Sequence, residues 1–193
     1  MAAVTALLFV VLLLGVASVD AGGGGGGGGR GRRTALDDAC SDLGGYYVTP
    51  EICESALCGD PSSRCRVARG APEVAALAAR LAAANATATK ASIEAALALA
   101  GDGTESSADA RRKGMRSCLQ LYARAVPALQ WAAQSVAARR YRGAREVLWA
   151  AQYVASGCNG MAGGDAALPR ENDQFSLMAI VAHAVVASML GPS

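Results

Sequence analysis

Histidine is nearly absent from this chain of 193 residues, and its single copy, His183, lies in the middle of an apolar segment. No serine lies in a G-x-S-x-G nucleophile motif, and no glycine loop follows a strand pattern as a phosphate cradle would require. Asp37 and Asp38 are adjacent carboxylates, but adjacent helix positions do not face one another. We therefore expect no catalytic residue, no metal site and no cofactor, and we interpret His183 as a packed residue.

Aromatic residues and strand patterns are also scarce. Aromatics make up 5% of the chain, and no segment alternates β-branched and polar residues as a half-buried strand would. Alanine is abundant instead, and it has the highest helix propensity because its side chain loses no rotamer entropy on ordering. The composition predicts an all-α protein.

The chain lacks a strong net charge and a second long apolar run. Its formal charge of +2 argues against a nucleic-acid partner. The apolar run at residues 2–18, followed by Val19-Asp20-Ala21, predicts a signal peptide over residues 1–21. No Lys or Arg precedes the run, so an uncleaved anchor is the alternative. After cleavage we expect a secreted protein with no membrane association, and the sequon at Asn85 is a candidate glycosylation site.

Six cysteines occur, none of them adjacent, and their spacings match no common zinc pattern. An even number in a secreted chain predicts disulfide bonds rather than metal binding or thiol catalysis. Fifteen pairings are open from the sequence alone. A local loop around the turn at residues 59–62 gives one hypothesis, in which the bridges are Cys40 with Cys53, Cys58 with Cys65, and Cys118 with Cys158.

Two segments precede the main helical region. Residues 22–33, a glycine run followed by arginines, cannot bury enough apolar surface to offset their ordering entropy, so we expect a disordered leader. Residues 34–70 contain four cysteines and several turn signals, which predicts a helical hairpin of short helices. So short a region needs cross-links to be stable.

Residues 71–191 carry four helical patterns. The first covers residues 72–100, and the second runs from Ser106 or Ser107 to the junction at 139–142. The third covers residues 141–158 and the fourth about 171–190, and a glycine-rich loop at 159–170 separates these two. The last pattern is apolar around most of its circumference, which is typical of a buried bundle member. The sequence therefore predicts an up-down-up-down four-helix bundle preceded by the stapled hairpin, with residues 34–191 as one domain.

Several of these residues resemble one family in their order and spacing. Thr49-Pro50-Glu51-Ile52-Cys53, then Leu57 and Asp60-Pro61, is similar to the opening hairpin of the plant invertase and pectin methylesterase inhibitors. Cys118-Leu119-Gln120-Leu121-Tyr122 is similar to the C-x-x-x-Y signature of that family, and Cys158 follows at about the family distance. The resemblance covers roughly residues 36–191.

The resemblance implies a monomeric, non-catalytic inhibitor in the apoplast or cell wall, which docks one-to-one across the active-site cleft of its target enzyme. The polar faces of residues 106–160 are the implied docking surface. Gln152, Ser156 and Asn159 are the candidate partner-binding residues on it.

Pectin methylesterase is the preferred target, with an acid invertase as the alternative. Invertase inhibitors of the family can carry a Pro-Lys-Phe segment, whereas this chain has only Leu168-Pro169-Arg170. Family members often have Thr before the last bundle cysteine and an acidic residue two positions after it, whereas Gly157 and Gly160 stand in those positions here. A secreted helical scaffold that binds a lipid, or one without inhibitory activity, is the rival hypothesis.

Overall fold

The computed structural model describes residues 33–59, 64–99, 106–163 and 168–191. Within these ranges the regular structure is helical and no strand occurs. The predicted signal peptide, most of the glycine-arginine leader and the turn at Asp60-Pro61 lie outside the described residues. In the described part of the chain the α-helices are α1 (Ala35–Ser41), α2 (Pro50–Cys58), α3 (Ala71–Leu99), α4 (Ser106–Ala137), α5 (Tyr141–Ala162) and α6 (Glu171–Ser188).

The N-terminal hairpin consists of α1 and α2, and short 3-10 turns follow each of these helices. Thr34 begins α1 with a capping box, in which its hydroxyl accepts from the backbone N–H of Asp37 and the Asp37 carboxylate accepts from the N–H of Thr34. The hydroxyl of Thr49 caps α2 by accepting from the backbone N–H of Ile52, and Pro50 occupies the first turn, where its missing N–H costs nothing. The hairpin packs through α1 on α3 and through α2 on α6.

Helices α3 to α6 form the predicted four-helix bundle. Each of α3 and α5 packs against both α4 and α6, so the four helices occupy the corners of a square in chain order. In α3, six consecutive residues, Val74 to Ala79, are buried. The hairpin helices also pack on α3, and small alanine side chains let the helices approach closely.

Helix α6 is the buried member of the bundle, as the sequence predicted. Its apolar residues contact α3 and α5, and α2 covers part of the remaining face. Phe175 is fully buried and packs edge-to-face on Tyr122 of α4, with 5.2 Å between ring centroids. The bundle core is therefore continuous from α4 to α6.

Helix α5 is one turn longer than the sequence predicted. Residues 159–162 were expected in a loop, but α5 continues to Ala162 and ends at Gly163, whose φ of +87° suits glycine and whose N–H donates to the Asn159 carbonyl. The extra turn packs on Gly114 of α4, where an added Cβ would lie 2.1 Å from the Met161 carbonyl oxygen. Burial of Ala162 at this close contact stabilises the turn and offsets the low helix propensity of Gly160.

Candidate functional site

Helices α4 and α5, which carry the predicted docking surface, are joined by a disulfide and a buried hydrogen-bond network. Cys118 of α4 is bonded to Cys158 of α5, and the hairpin holds the other two bridges, Cys40–Cys53 and Cys58–Cys65. These are the pairs of the sequence-based hypothesis. The α4–α5 surface therefore lies on a covalently braced support, which loses little conformational entropy when a partner binds.

The hydrogen-bond network centres on Asn172 at the start of α6. Its Oδ1 accepts from the hydroxyl of Tyr122 at 2.8 Å, and its Nδ2 donates to Oδ1 of Asn159 at 2.8 Å and to the Ala155 carbonyl at 3.4 Å. Burial raises the pKa of Tyr122 well above the ordinary phenol value, so the hydroxyl stays protonated and donates. One amide side chain thus links α4, α5 and α6.

The three predicted partner-binding residues do not share one environment. Asn159 is half-buried and its side-chain oxygen is engaged by Asn172, so it serves the bundle interior. Gln152 is also half-buried. Ser156 is exposed, and its hydroxyl donates to the Tyr153 carbonyl at 3.2 Å. Of the three, Ser156 alone belongs to the outward face of α5.

Two aromatic residues on that outward face were missed by sequence reasoning. Trp149 and Tyr153 are 50% and 58% exposed, and their rings pack edge-to-face with centroids 5.3 Å apart. They lie one turn apart, and Ser156 follows Tyr153 by three positions, so the three share one side of the helix. We call Trp149, Tyr153 and Ser156 the α5 face. The signal was present in the sequence, because the aromatic positions fall opposite the buried stripe that includes Leu148, Ala151 and Ala155.

A shallow apolar groove separates α4 from α5 beside this face. It has a volume of about 280 Å³, and Arg124 stands among otherwise apolar lining residues that include Leu121, Ala128, Val147 and Val154. At the far end of α4, half-exposed Trp131 packs close to Gly143, where an added Cβ would lie 3.1 Å from the indole. Both tryptophans of the chain therefore lie half-exposed on these two helices.

Charge is distributed unevenly over the chain. Residues 106–163 contain nine basic and two acidic residues, whereas the rest of the chain contains nine basic and fourteen acidic ones. The α4–α5 segment thus carries a formal charge of +7, which the net charge of +2 conceals. Sequence reasoning from the net value alone missed this basic region.

His183 and Asp37, which were considered as catalytic groups from the sequence, have local structural roles. His183 is half-buried and packs edge-to-face on Tyr46, with centroids 5.6 Å apart. Burial lowers the pKa of His183, and the positive charge of Arg145 lowers it further, against a smaller opposite effect of Glu146. The carboxylate of Asp37 caps α1, and its hydrogen bond from the Thr34 N–H lowers its pKa.

Asn85, the sequon residue, lies within α3 and is half-buried. Its Nδ2 donates to the Leu81 carbonyl at 2.9 Å. The residue also lines a groove that α3 shares with α2 and α6. Among the described residues, no group of three or more His, Cys, Asp or Glu side chains could hold a metal ion. The helices of these residues include none with the length and hydropathy of a transmembrane span.

Comparison with known proteins gives one family. The family model described as plant invertase/pectin methylesterase inhibitor matches residues 34–185, which include the hairpin and nearly the whole bundle. No curated protein and no solved structure matches the chain.

Proposed function

Since the chain belongs to the plant invertase/pectin methylesterase inhibitor family, we propose that it is a secreted inhibitor of pectin methylesterase that docks on the enzyme and covers its active-site cleft. The proposal includes a signal peptide at residues 1–21, a leader at 22–33, and a domain formed by the hairpin at 34–70 and the bundle at 71–191. The mature protein acts as a monomer in the cell wall and binds its target one-to-one.

The exposed aromatic pair of the α5 face carries this proposal. Trp and Tyr are enriched among the residues that contribute most binding energy at protein interfaces. Trp149 and Tyr153 hold each other by ring packing, so few rotamers are lost when a partner covers them. The disulfide at Cys158 anchors the same helix two turns further on. The α5 face is therefore a preorganised anchor for a protein partner.

The family departures at Gly157 and Gly160 are compatible with this arrangement. Gly160 faces open space, because an added Cβ there would meet no atom within 4 Å, and Gly157 is half-buried against Leu121. The end of α5 thus has no side chain at the two positions where family members often have a hydroxyl and a carboxylate. We propose that most of the binding energy for the enzyme comes from Trp149 and Tyr153, one to two helical turns before Gly157.

Pectin methylesterase is favoured over invertase as the target. The segment that could correspond to a Pro-Lys-Phe motif is Leu168-Pro169-Arg170 here. Leu168 and Pro169 are half-buried, and Arg170 immediately precedes α6. This segment has neither the lysine nor the aromatic side chain with which an invertase inhibitor could engage its enzyme.

Parallel titrations test the target. The purified, oxidised protein is added at mildly acidic pH to a plant pectin methylesterase and, separately, to a cell-wall invertase, with a reduced and alkylated sample as the control. We expect loss of esterase activity near one equivalent of oxidised protein and unchanged invertase activity. Loss of invertase activity alone would reverse the target, and no effect on either enzyme from a folded, helical protein would contradict the inhibitory function.

A further inference from the structure

The outward face of α4 carries a line of positive charge that the proposed enzyme contact does not use. Lys113, Arg116 and Arg124 are exposed and fall on one side of the helix, because their spacings of three and eight residues keep them within a narrow sector. We call these three residues the α4 stripe. At 1.5 Å per residue, the stripe and Trp131 beyond it extend over about 27 Å.

The cations of the α4 stripe form no salt bridge with any residue that the structure describes. Among the described residues, no ion pair involves Lys113, Arg116 or Arg124, whereas Lys90 pairs with Glu94 and Arg145 pairs with Glu146. Three more exposed arginines, Arg139, Arg140 and Arg142, follow at the turn into α5. Asp109, one turn before Lys113, offsets part of this charge, but the cations of residues 106–163 outnumber the acidic residues by nine to two. Such an excess produces a local positive potential that attracts an anionic partner.

Trp131 lies between the α4 stripe and the arginines of the turn. Its indole packs close to Gly143, where the lack of a side chain leaves room for it, and half of the residue is exposed. The exposed part of an indole ring offers an apolar surface on which the C–H groups of a pyranose ring pack. The surface thus combines cations in a row with an aromatic platform near one end.

We propose that the α4 stripe and Trp131 bind a linear uronate polysaccharide, the de-esterified form of pectin. Each uronate ring carries one carboxylate, so an extended chain along α4 presents anions to successive cations while one ring stacks on Trp131. The identity of the polysaccharide rests on the proposed function, because removal of methyl esters by the target enzyme creates these carboxylates. The protein is thereby retained where its target has acted.

The test compares two ligands that differ only in charge. An oligogalacturonate and its fully methyl-esterified form are titrated by calorimetry into the oxidised full-length protein at low and at moderate salt, without any enzyme. We expect binding of the acid form, weakening as salt screens the charges, and none of the ester. The triple variant Lys113→Gln, Arg116→Gln, Arg124→Gln should lower the affinity by roughly tenfold, since each exposed ionic contact contributes modestly.

A matched variant removes the same charge elsewhere. Arg64→Gln, Arg66→Gln, Arg80→Gln takes three exposed cations from outside α4 and α5 and should leave the affinity unchanged. Trp131→Ala should weaken binding in protein whose helical circular dichroism is normal. Equal binding of the ester, equal losses in both triple variants, or tighter binding of a DNA duplex would overturn the proposal. Because no enzyme is present, these outcomes are independent of whether the protein inhibits pectin methylesterase.

Discussion

The hydroxyl of Tyr122 donates to Oδ1 of Asn172 at 2.8 Å, and both residues are buried. The bond joins α4 to α6, while Cys118, one turn before Tyr122, joins α4 to α5 through Cys158. The C-x-x-x-Y pattern therefore has a physical reason. Two residues on one side of α4 connect that helix to both helices that follow it.

Loss of the Tyr122 hydroxyl should destabilise the fold. Tyr122→Phe keeps the ring contact with Phe175 but leaves Oδ1 of Asn172 buried without its phenol donor, at a cost of about 1 to 3 kcal/mol in the free energy of unfolding. Urea unfolding followed by circular dichroism measures this change. Tyr47→Phe is the control, since Tyr47 is 96% exposed and should change stability by less than about 0.5 kcal/mol. Equal effects would show that the hydrogen bond contributes nothing.

The bundle disulfide should contribute more stability than the local hairpin disulfide. Cys118 and Cys158 are 40 positions apart, whereas Cys58 and Cys65 are 7 apart. The chain-entropy relation gives about 4 kcal/mol for the longer loop and about 2.4 kcal/mol for the shorter one. The test of this order is to replace both cysteines of one bridge by serine, for each bridge in turn, and to measure the free energy of unfolding in urea. A larger loss in the Cys58→Ser, Cys65→Ser variant would contradict it.

The contact between α4 and the end of α5 should tolerate no side chain at Gly114. Gly114→Ala would place Cβ against the Met161 carbonyl and should cost about 1 to 3 kcal/mol through overpacking. Gly160→Ala makes the same chemical change in the open and should stabilise α5 by about 0.5 to 1 kcal/mol. Thermal unfolding of both variants provides the comparison, and changes of the same sign would argue against the close contact.

Acidification should weaken the fold through His183. Because burial lowers the pKa of His183 in the folded protein, the unfolded chain takes up the proton first as the pH falls. The free energy of unfolding should therefore decrease from about pH 7 toward the folded-state pKa. Asp37 and Glu51, whose pKa values are lowered by hydrogen bonds, act at still lower pH, because their stabilising effect disappears only as they become protonated.

His183→Gln should flatten this pH dependence, whereas Asp37→Asn should leave it intact above about pH 5. Melting temperatures of the two variants and the parent protein across this range are the measurement. A parent-like slope in His183→Gln would assign the effect to another group.

The fold could be predicted because its signals are local and repeated. The spacing of Met115, Cys118, Tyr122 and Leu129 indicates the buried side of α4 without any tertiary information, and the structure buries all four. The predicted end of α5 was one turn too early, because the true end depends on a contact with Gly114, more than 40 residues away in sequence. Helix propensity alone favoured a loop at Gly160.

The candidate surface was harder to predict. Asn159 is predicted to lie on it, and the structure shows its side chain bonded to Asn172, a contact between helices that no local pattern indicates. Trp149 and Tyr153 were not among the predicted surface residues, and large aromatic side chains are on average well buried in proteins. Their position opposite the buried stripe of α5 identifies them as surface residues once the helix face is assigned.

The most direct test of the α5 face as the inhibitory contact is the inhibition constant of the double variant Trp149→Ala, Tyr153→Ala against pectin methylesterase. Tyr47→Ala, Val67→Ala removes two exposed apolar side chains from the hairpin region and serves as the control. We predict that the inhibition constant of the α5 variant rises at least about thirtyfold, which is the effect of one strong interface residue. The inhibition constant of the control variant should not change. An unchanged inhibition constant in a folded α5 variant would contradict the account.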